Sequence, residues 1–253
     1  MKGLSRLVAL SAAMVISMSA SAAEIQVMSG GAPKEVFALL TPKFEQQTGH
    51  KVKFTYAVIT AIREKLAAGA KADVLILPVP VLNALAKEGK VRADARAMFG
   101  TLGISVVVKE GAAKPDISTK EKFKAALLAA KSVVHATPGQ TPSGNHMAKV
   151  IDELGIADAM KTKTIHKPAL DGGVQLVASG EAEMGIYPAS EVAGIKGISL
   201  VGPLPAGVDF TIVYGGAAMT GAAAPDAAAT FVKFMAAPEN RHVWKEAGFE
   251  PPH

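Results

Sequence analysis

Along the chain, apolar residues recur with a period of two in short runs and at helical spacing in the stretches between them. Residues 25–28 read as a strand. After Ser29-Gly30-Gly31-Ala32, the residues Val36, Phe37, Leu40 and Phe44 mark one face of a helix that opens at Pro33, kinks at Pro42 and ends at Thr48-Gly49. Val52, Phe54 and Tyr56 alternate with Lys51, Lys53 and Thr55, which predicts a strand with one buried face. Thr60 is the expected cap of a short helix carrying Ile62 and Leu66. A buried-strand run at 72–77 follows, then a helix with Val81, Leu82, Leu85 and Ala86 that stops at Gly89. Further strands are expected at 102–108, 132–136, 183–187, 198–201 and 210–214. Helices are expected at 120–130, through Met147 to Leu154, at 172–179, and twice near the end, around Phe231 and around Trp244. Alternation of this kind predicts an α/β fold, a largely parallel sheet covered by helices.

Two of the strand-to-helix turns are built almost entirely from small residues. The first is Met28-Ser29-Gly30-Gly31-Ala32-Pro33; the second is Thr137-Pro138-Gly139-Gln140-Thr141-Pro142-Ser143-Gly144-Asn145-His146. With little side chain in the way, the N–H groups at a helix start are open to a partner, and the helix dipole favours an anion there. The plain alternative for either turn is a tight connection that binds nothing. Neither is a nucleotide loop, since G-x-G-x-x-G and G-x-x-x-x-G-K are both absent. If the two turns face each other across a cleft between lobes, an anion would sit between opposed helix N-termini.

Charge and composition narrow the class. Lys2 and Arg6 precede an apolar or small run at 7–18, and Ala20-Ser21-Ala22 offers a cleavage site, the three-part pattern of a secretory leader over residues 1–22. The chain has no cysteine, so neither a lipid tether nor a disulfide framework is available, and a periplasmic protein held together by its core is expected. The formal charge of +5 falls to +3 without Lys2 and Arg6, and aromatic residues make up 5% of the chain. That balance gives no support to nucleic-acid binding and is compatible with a small anionic ligand. The six histidines, at 50, 135, 146, 166, 242 and 253, show no metal-ligand spacing, and no G-x-S-x-G elbow is present. No cofactor is expected.

The strings Phe44-Glu45-Gln46-Gln47-Thr48-Gly49, Ala68-Gly69-Ala70-Lys71-Ala72-Asp73-Val74, Pro142-Ser143-Gly144 and Gly180-Glu181-Ala182-Glu183-Met184-Gly185-Ile186 stand in a specific order, followed by Phe234-Met235-Ala236-Ala237-Pro238-Glu239 and Gly248-Phe249. In this order and spacing the chain resembles the periplasmic solute-binding proteins of ABC importers, in their molybdate-binding branch, over nearly all of its length after the leader. The resemblance implies a type II periplasmic-binding-protein fold: two lobes, each a mixed sheet flanked by helices, with the ligand in the cleft between them. Residues 23–104 plus 214–253 would form the first lobe and 105–213 the second. It also implies a monomer that hands its ligand to an inner-membrane ABC permease.

The departures concern the ligand. Positions that carry serine in molybdate-binding relatives fall here on Ala32 and on Ile59 or Thr60, and the tyrosine that helps close such sites falls on Pro188, one place after Tyr187. The neutral hydroxyl cage for a tetrahedral oxyanion is therefore largely missing. Lys34 and Arg63 instead stand in the first turns of the first two helices, where a cation opposes the dipole unless a ligand is shared. Each is also explained by a solvated surface or a structural ion pair. The expected ligand is an organic di- or tricarboxylate rather than molybdate or tungstate. The expected ligand-binding residues are Ser29, Gly30, Gly31, Ala32, Lys34, Thr60, Arg63, Thr141, Ser143, Gly144, Asn145, His146 and Tyr187. A second reading is enzymatic, because periplasmic aconitate isomerases resemble the same scaffold and shift a proton across a tricarboxylate without a cofactor. On that reading His146 and Tyr187 are the candidate proton carriers, set against capping and core packing as their plain roles.

Overall fold

The computed structural model describes residues 22–167 and 172–251; the expected leader lies almost wholly outside them. The first strand, β1 (Glu24–Ser29), pairs in parallel with β2 (Lys51–Tyr56) on one side and β3 (Val74–Pro78) on the other. Between them run α1 (Lys34–Thr48), α2 (Ile59–Ala67) and, after β3, α3 (Val79–Lys87). Helix α1 buries Val36, Phe37, Leu40 and Phe44, continues through the exposed Pro42, and ends where Gly49 takes φ 74°, a conformation glycine adopts without strain. The edge strand β2 keeps its lysines outward, which blunts pairing with other chains. All five residues of β3 are buried, because both faces of the sheet are covered there.

The next strand, β4 (Val91–Lys109), is 19 residues long and joins the two halves of the molecule. Its residues 91–103 pair antiparallel with β9 (Thr211–Met219), which itself lies against β3. From Ile104 onward β4 pairs instead with β7 (Met184–Pro188) and, from Ser105, with β8 (Ile198–Pro203). Strand β5 (Val133–His135) lies parallel to β7 and to β6 (Thr164–His166). The sheet order β2-β1-β3-β9-β4-β7-β5-β6 is therefore parallel at its two flanks and antiparallel through its centre. This differs from the largely parallel sheet expected from alternation alone, since β9 returns from the second half running opposite to both β3 and β4, and β7 runs opposite to β4.

The second half carries α4 (Lys120–Ala129), α5 (Pro142–Glu153), α6 (Ala157–Met160), α7 (Gly173–Ser179) and α8 (Ala189–Val192). The chain then returns to the first half with α9 (Pro225–Met235), α10 (Arg241–Glu246) and β10 (Phe249–Glu250), the last pairing with β4. Each half has a core on both faces of its sheet. In the first, Phe37, Phe44, Phe231 and Trp244 pack on one side and Ile62, Leu75, Leu77 and Leu82 on the other. In the second, Phe123, Leu127 and Met147 lie on one side and Val134, Val177 and Tyr187 on the other. Buried Asp73 pins β1, β3 and the approach to α9 together, accepting from the backbone N–H groups of Gln26 (2.8 Å), Ala223 and Ala224. Every one of those donors would otherwise be left without an acceptor.

Candidate functional site

Three helix starts meet in the groove between the halves. At the first, Gly30 N–H donates to the Ile76 carbonyl and Lys34 N–H to the Gly31 carbonyl. The N–H groups of Gly31 and Ala32 meet no acceptor among the described residues. At the second, Ala57 N–H donates to the Ser29 carbonyl and Val58 takes the cap position of α2. Thr60, expected as that cap, is instead an exposed residue inside the first turn. At the third, Thr141 caps α5: its Oγ1 accepts from Gly144 N–H at 3.0 Å and lies 3.2 Å from Ser143 Oγ.

These three starts enclose a cavity of about 30 Å³. Gly30, Gly31, Ala32, Val58 and Ile59 line it from the first half, with Ile212 and Tyr214 of β9 as its floor; Thr141, Ser143, Pro188 and Glu191 line it from the second. That volume admits about two water molecules. Gly144 keeps the third helix close behind this wall, since a β-carbon on it would lie 2.5 Å from the Thr137 carbonyl oxygen.

Of the residues expected at the site, the structure brings Gly30, Gly31, Ala32, Thr141 and Ser143 to the cavity. The others go elsewhere. Ser29 is fully buried and its hydroxyl donates to the Gly30 carbonyl, 2.8 Å away. Lys34 is exposed, with its ammonium 5.9 Å from the centre of the Tyr56 ring. Arg63 is also exposed: α2 buries Ile59 and Ile62, and the next residue is turned to solvent, where its charge acts on Glu88. Asn145 accepts from Gly139 N–H and holds the turn before α5. His146 donates from Nε2 to the Val208 carbonyl (2.8 Å) and stacks on Phe210, a tie between α5 and the segment leading into β9. Tyr187 is fully buried in the core of the second half, with its hydroxyl against Gly173 and no hydrogen-bond partner among the described residues.

Two side chains on the cavity wall were missed from sequence, Glu191 and Tyr214. Glu191 belongs to a third small turn after a strand, Tyr187-Pro188-Ala189-Ser190, and that repeated pattern was the available signal. Its Oε2 is shielded from solvent with no hydrogen-bond partner among the described residues, as is Ser190 Oγ next to it. Burial pushes the Glu191 carboxyl up to about 8, because the charged form is poorly solvated there. Burial, and then the Glu191 charge, raise the Tyr214 and Tyr187 phenols above the ordinary range. Helix α8, which carries Glu191, is wedged between the halves: Ala189 packs on the first-half core, and a β-carbon on Gly248 would lie 3.0 Å from the Ala189 carbonyl carbon. Among the described residues no three His, Asp or Glu side chains stand close enough together to hold a metal ion.

The family described as bacterial extracellular solute-binding protein matches residues 25–250. The chain belongs to that family. As a solute-binding protein it has the two-lobe, type II architecture, with α/β lobes and a cleft between them. It is 28% identical to an aconitate isomerase of a Pseudomonas species over 233 residues, covering 90% of this chain and 87% of the relative. To the molybdate-binding protein ModA of Azotobacter vinelandii it is 28% identical over 190 residues, covering 75% of this chain and 74% of the relative. The solved periplasmic molybdate-binding protein of A. vinelandii superposes with a TM-score of 0.74 at 19% identity, over 90% of this chain and all of that one.

Proposed function

We propose that the interlobe cleft captures a small organic carboxylate and delivers it, as a monomeric periplasmic protein, to an inner-membrane ABC permease. The observation that carries this reading is the convergence of three helix N-termini on one closed cavity. Two features favour an organic acid over molybdate. The first-lobe helix starts present Gly31, Ala32, Val58 and Ile59, none with a hydroxyl, so the Tyr214 phenol on the floor is the side-chain donor that a tetrahedral oxyanion would find in that lobe. One relative, 28% identical over nine-tenths of this chain, is named for an organic acid. Lys34 and Arg63 add nothing to this preference, being outside the cavity. The lobe boundaries we infer are 23–104 plus 214–253 and 105–213, and the change of β4 partners after Gly103 supports a division close to those bounds. Titration calorimetry of the mature protein with trans-aconitate, cis-aconitate, citrate, molybdate and sulfate tests the proposal. One-to-one binding of an organic acid, with molybdate weak or silent, supports it; tight molybdate binding alone overturns it.

A second reading is a cofactor-free isomerase, and Glu191 is the observation that favours it. An acid held near neutrality in a cleft is suited to move a proton both ways. As carboxylate it would take a proton from the methylene of aconitate, the electron pair spreading into the allyl system and adjoining carboxylate. The same proton returned to the former vinylic carbon completes the shift with no other reagent. Chromatographic interconversion of cis- and trans-aconitate by the purified protein, lost in Glu191→Gln, is the test; inert protein that binds either isomer returns the role to capture.

A further inference from the structure

Among the described residues, Glu191 is the one carboxyl, and the one ionisable group other than the Tyr214 phenol, that lines the cavity. No lysine, arginine or histidine faces it there. Lys34 lies over Tyr56, Arg63 is exposed, and His146 is engaged by the Val208 carbonyl. From the elements packed around α8, the phenols that feel the Glu191 charge are Tyr214 on β9 and Tyr187 on β7, and burial alone raises the Glu191 carboxyl. A cavity prepared for an anion by three helix starts thus contains an acid of its own, with one oxygen shielded from water and unpartnered.

We infer that Glu191 and the bound anion hold one proton between them, so that the cleft accepts an anion only together with that proton. This rests on the anion-binding reading above. Two negative oxygens facing each other without a cation cannot both stay ionised, and one must carry a proton that it donates to the other. A neutral Glu191 donates a hydrogen bond to a carboxylate or oxyanion; an ionised Glu191 accepts only a ligand that brings its own proton. Glu191 is therefore a specificity residue: it holds the charge of the filled cavity at that of a single anion and excludes a fully ionised ligand once it has itself ionised. Its raised carboxyl makes the ligand-free protein ready to donate at neutral pH.

The test is titration calorimetry from pH 6 to 10 with trans-aconitate and, separately, molybdate, both fully ionised above pH 7. The wild-type association constant is expected to be level to about pH 8 and then to fall about tenfold per pH unit. In parallel, buffers of different ionisation heat should report uptake of nearly one proton at pH 9.5. Glu191→Gln, whose amide donates at every pH, should flatten the profile. A wild-type profile flat to pH 10, or an equal slope in the Gln variant, overturns the inference while leaving the anion cleft standing. If the Gln variant does not bind, wild-type proton uptake decides alone, and its absence overturns the inference. Failure of both probes to bind the wild type at any pH overturns the anion cleft and this inference with it.

Discussion

Tyr214 closes over Gly30: a β-carbon on that glycine would lie 3.5 Å from both the phenol oxygen and Cε1 of the ring. That is ordinary contact, so the first methyl fits, and what it occupies is the cavity. Gly30→Val should therefore lower ligand affinity at least about tenfold, some 1.4 kcal/mol, while far-ultraviolet circular dichroism and Tm stay close to wild type. Unchanged affinity in a folded variant would move the site away from this cavity.

Thr141 has two duties that can be separated. Its hydroxyl caps α5 through Gly144 N–H and also faces the cavity. Thr141→Ala should lose about 1 kcal/mol of stability in chemical denaturation together with part of the affinity. Thr141→Ser should keep both.

Asp73 is remote from the cleft and holds three backbone donors. Hydrogen bonds to a charged group are strong and their loss leaves buried N–H groups unpaired, so Asp73→Ala should cost about 3 kcal/mol or more. A urea titration at pH 7 measures it, and a loss below 1 kcal/mol would show that the loop before α9 finds other partners.

Two buried groups give stability opposite slopes with pH. His135 is fully buried, donates from Nδ1 to the Ala136 carbonyl, and is pushed down to about 4 by burial, with His166 adding to the effect. The unfolded chain then binds more protons between about pH 6.5 and 4, so stability is full above that window and falls by up to about 3 kcal/mol as acid is added. Glu191 acts the other way. Its folded carboxyl stays protonated up to about 8 while the unfolded one ionises near 4.5, so stability declines as pH rises across that interval. Glu191→Gln should accordingly be more stable than wild type at pH 7, by about 3 kcal/mol, with the gain vanishing near pH 4.5. His135→Gln should flatten only the acid limb. Thermal melts from pH 4 to 9 read both.

The fold was legible where burial imposes a clean period. The apolar stripe of α1 and the alternation of β2 translate directly into position, because each has one face on the core. The first half of β4 was not legible, since residues 91–97 do alternate but mostly with alanine as the apolar member, and Met98-Phe99-Gly100 then breaks the alternation. Shifts of register between Val91 and Arg96 and between Met98 and Gly100 break whatever period pairing with β9 would have imposed. At the site, small residues were a sound guide because only backbone can approach backbone at a helix start. Charged residues misled: Lys34 and Arg63 are near the cleft in sequence, but the rotation of each helix is set by its buried residues and turns the charge to solvent. Tyr187 was drawn inward by the same rule of alternation that makes β7 a core strand, and Glu191, four places on, was left to face the cavity.

The placement of β9 bears on when the molecule can take shape. It lies between β3 and β4, so the middle of the first sheet has a vacant row until residues 211–219 arrive, more than a hundred positions after β4 has been made. Contacts this distant in sequence form slowly, so the first sheet stays pliable until β9 has been made. Maturation is thus timed by residues 211–219.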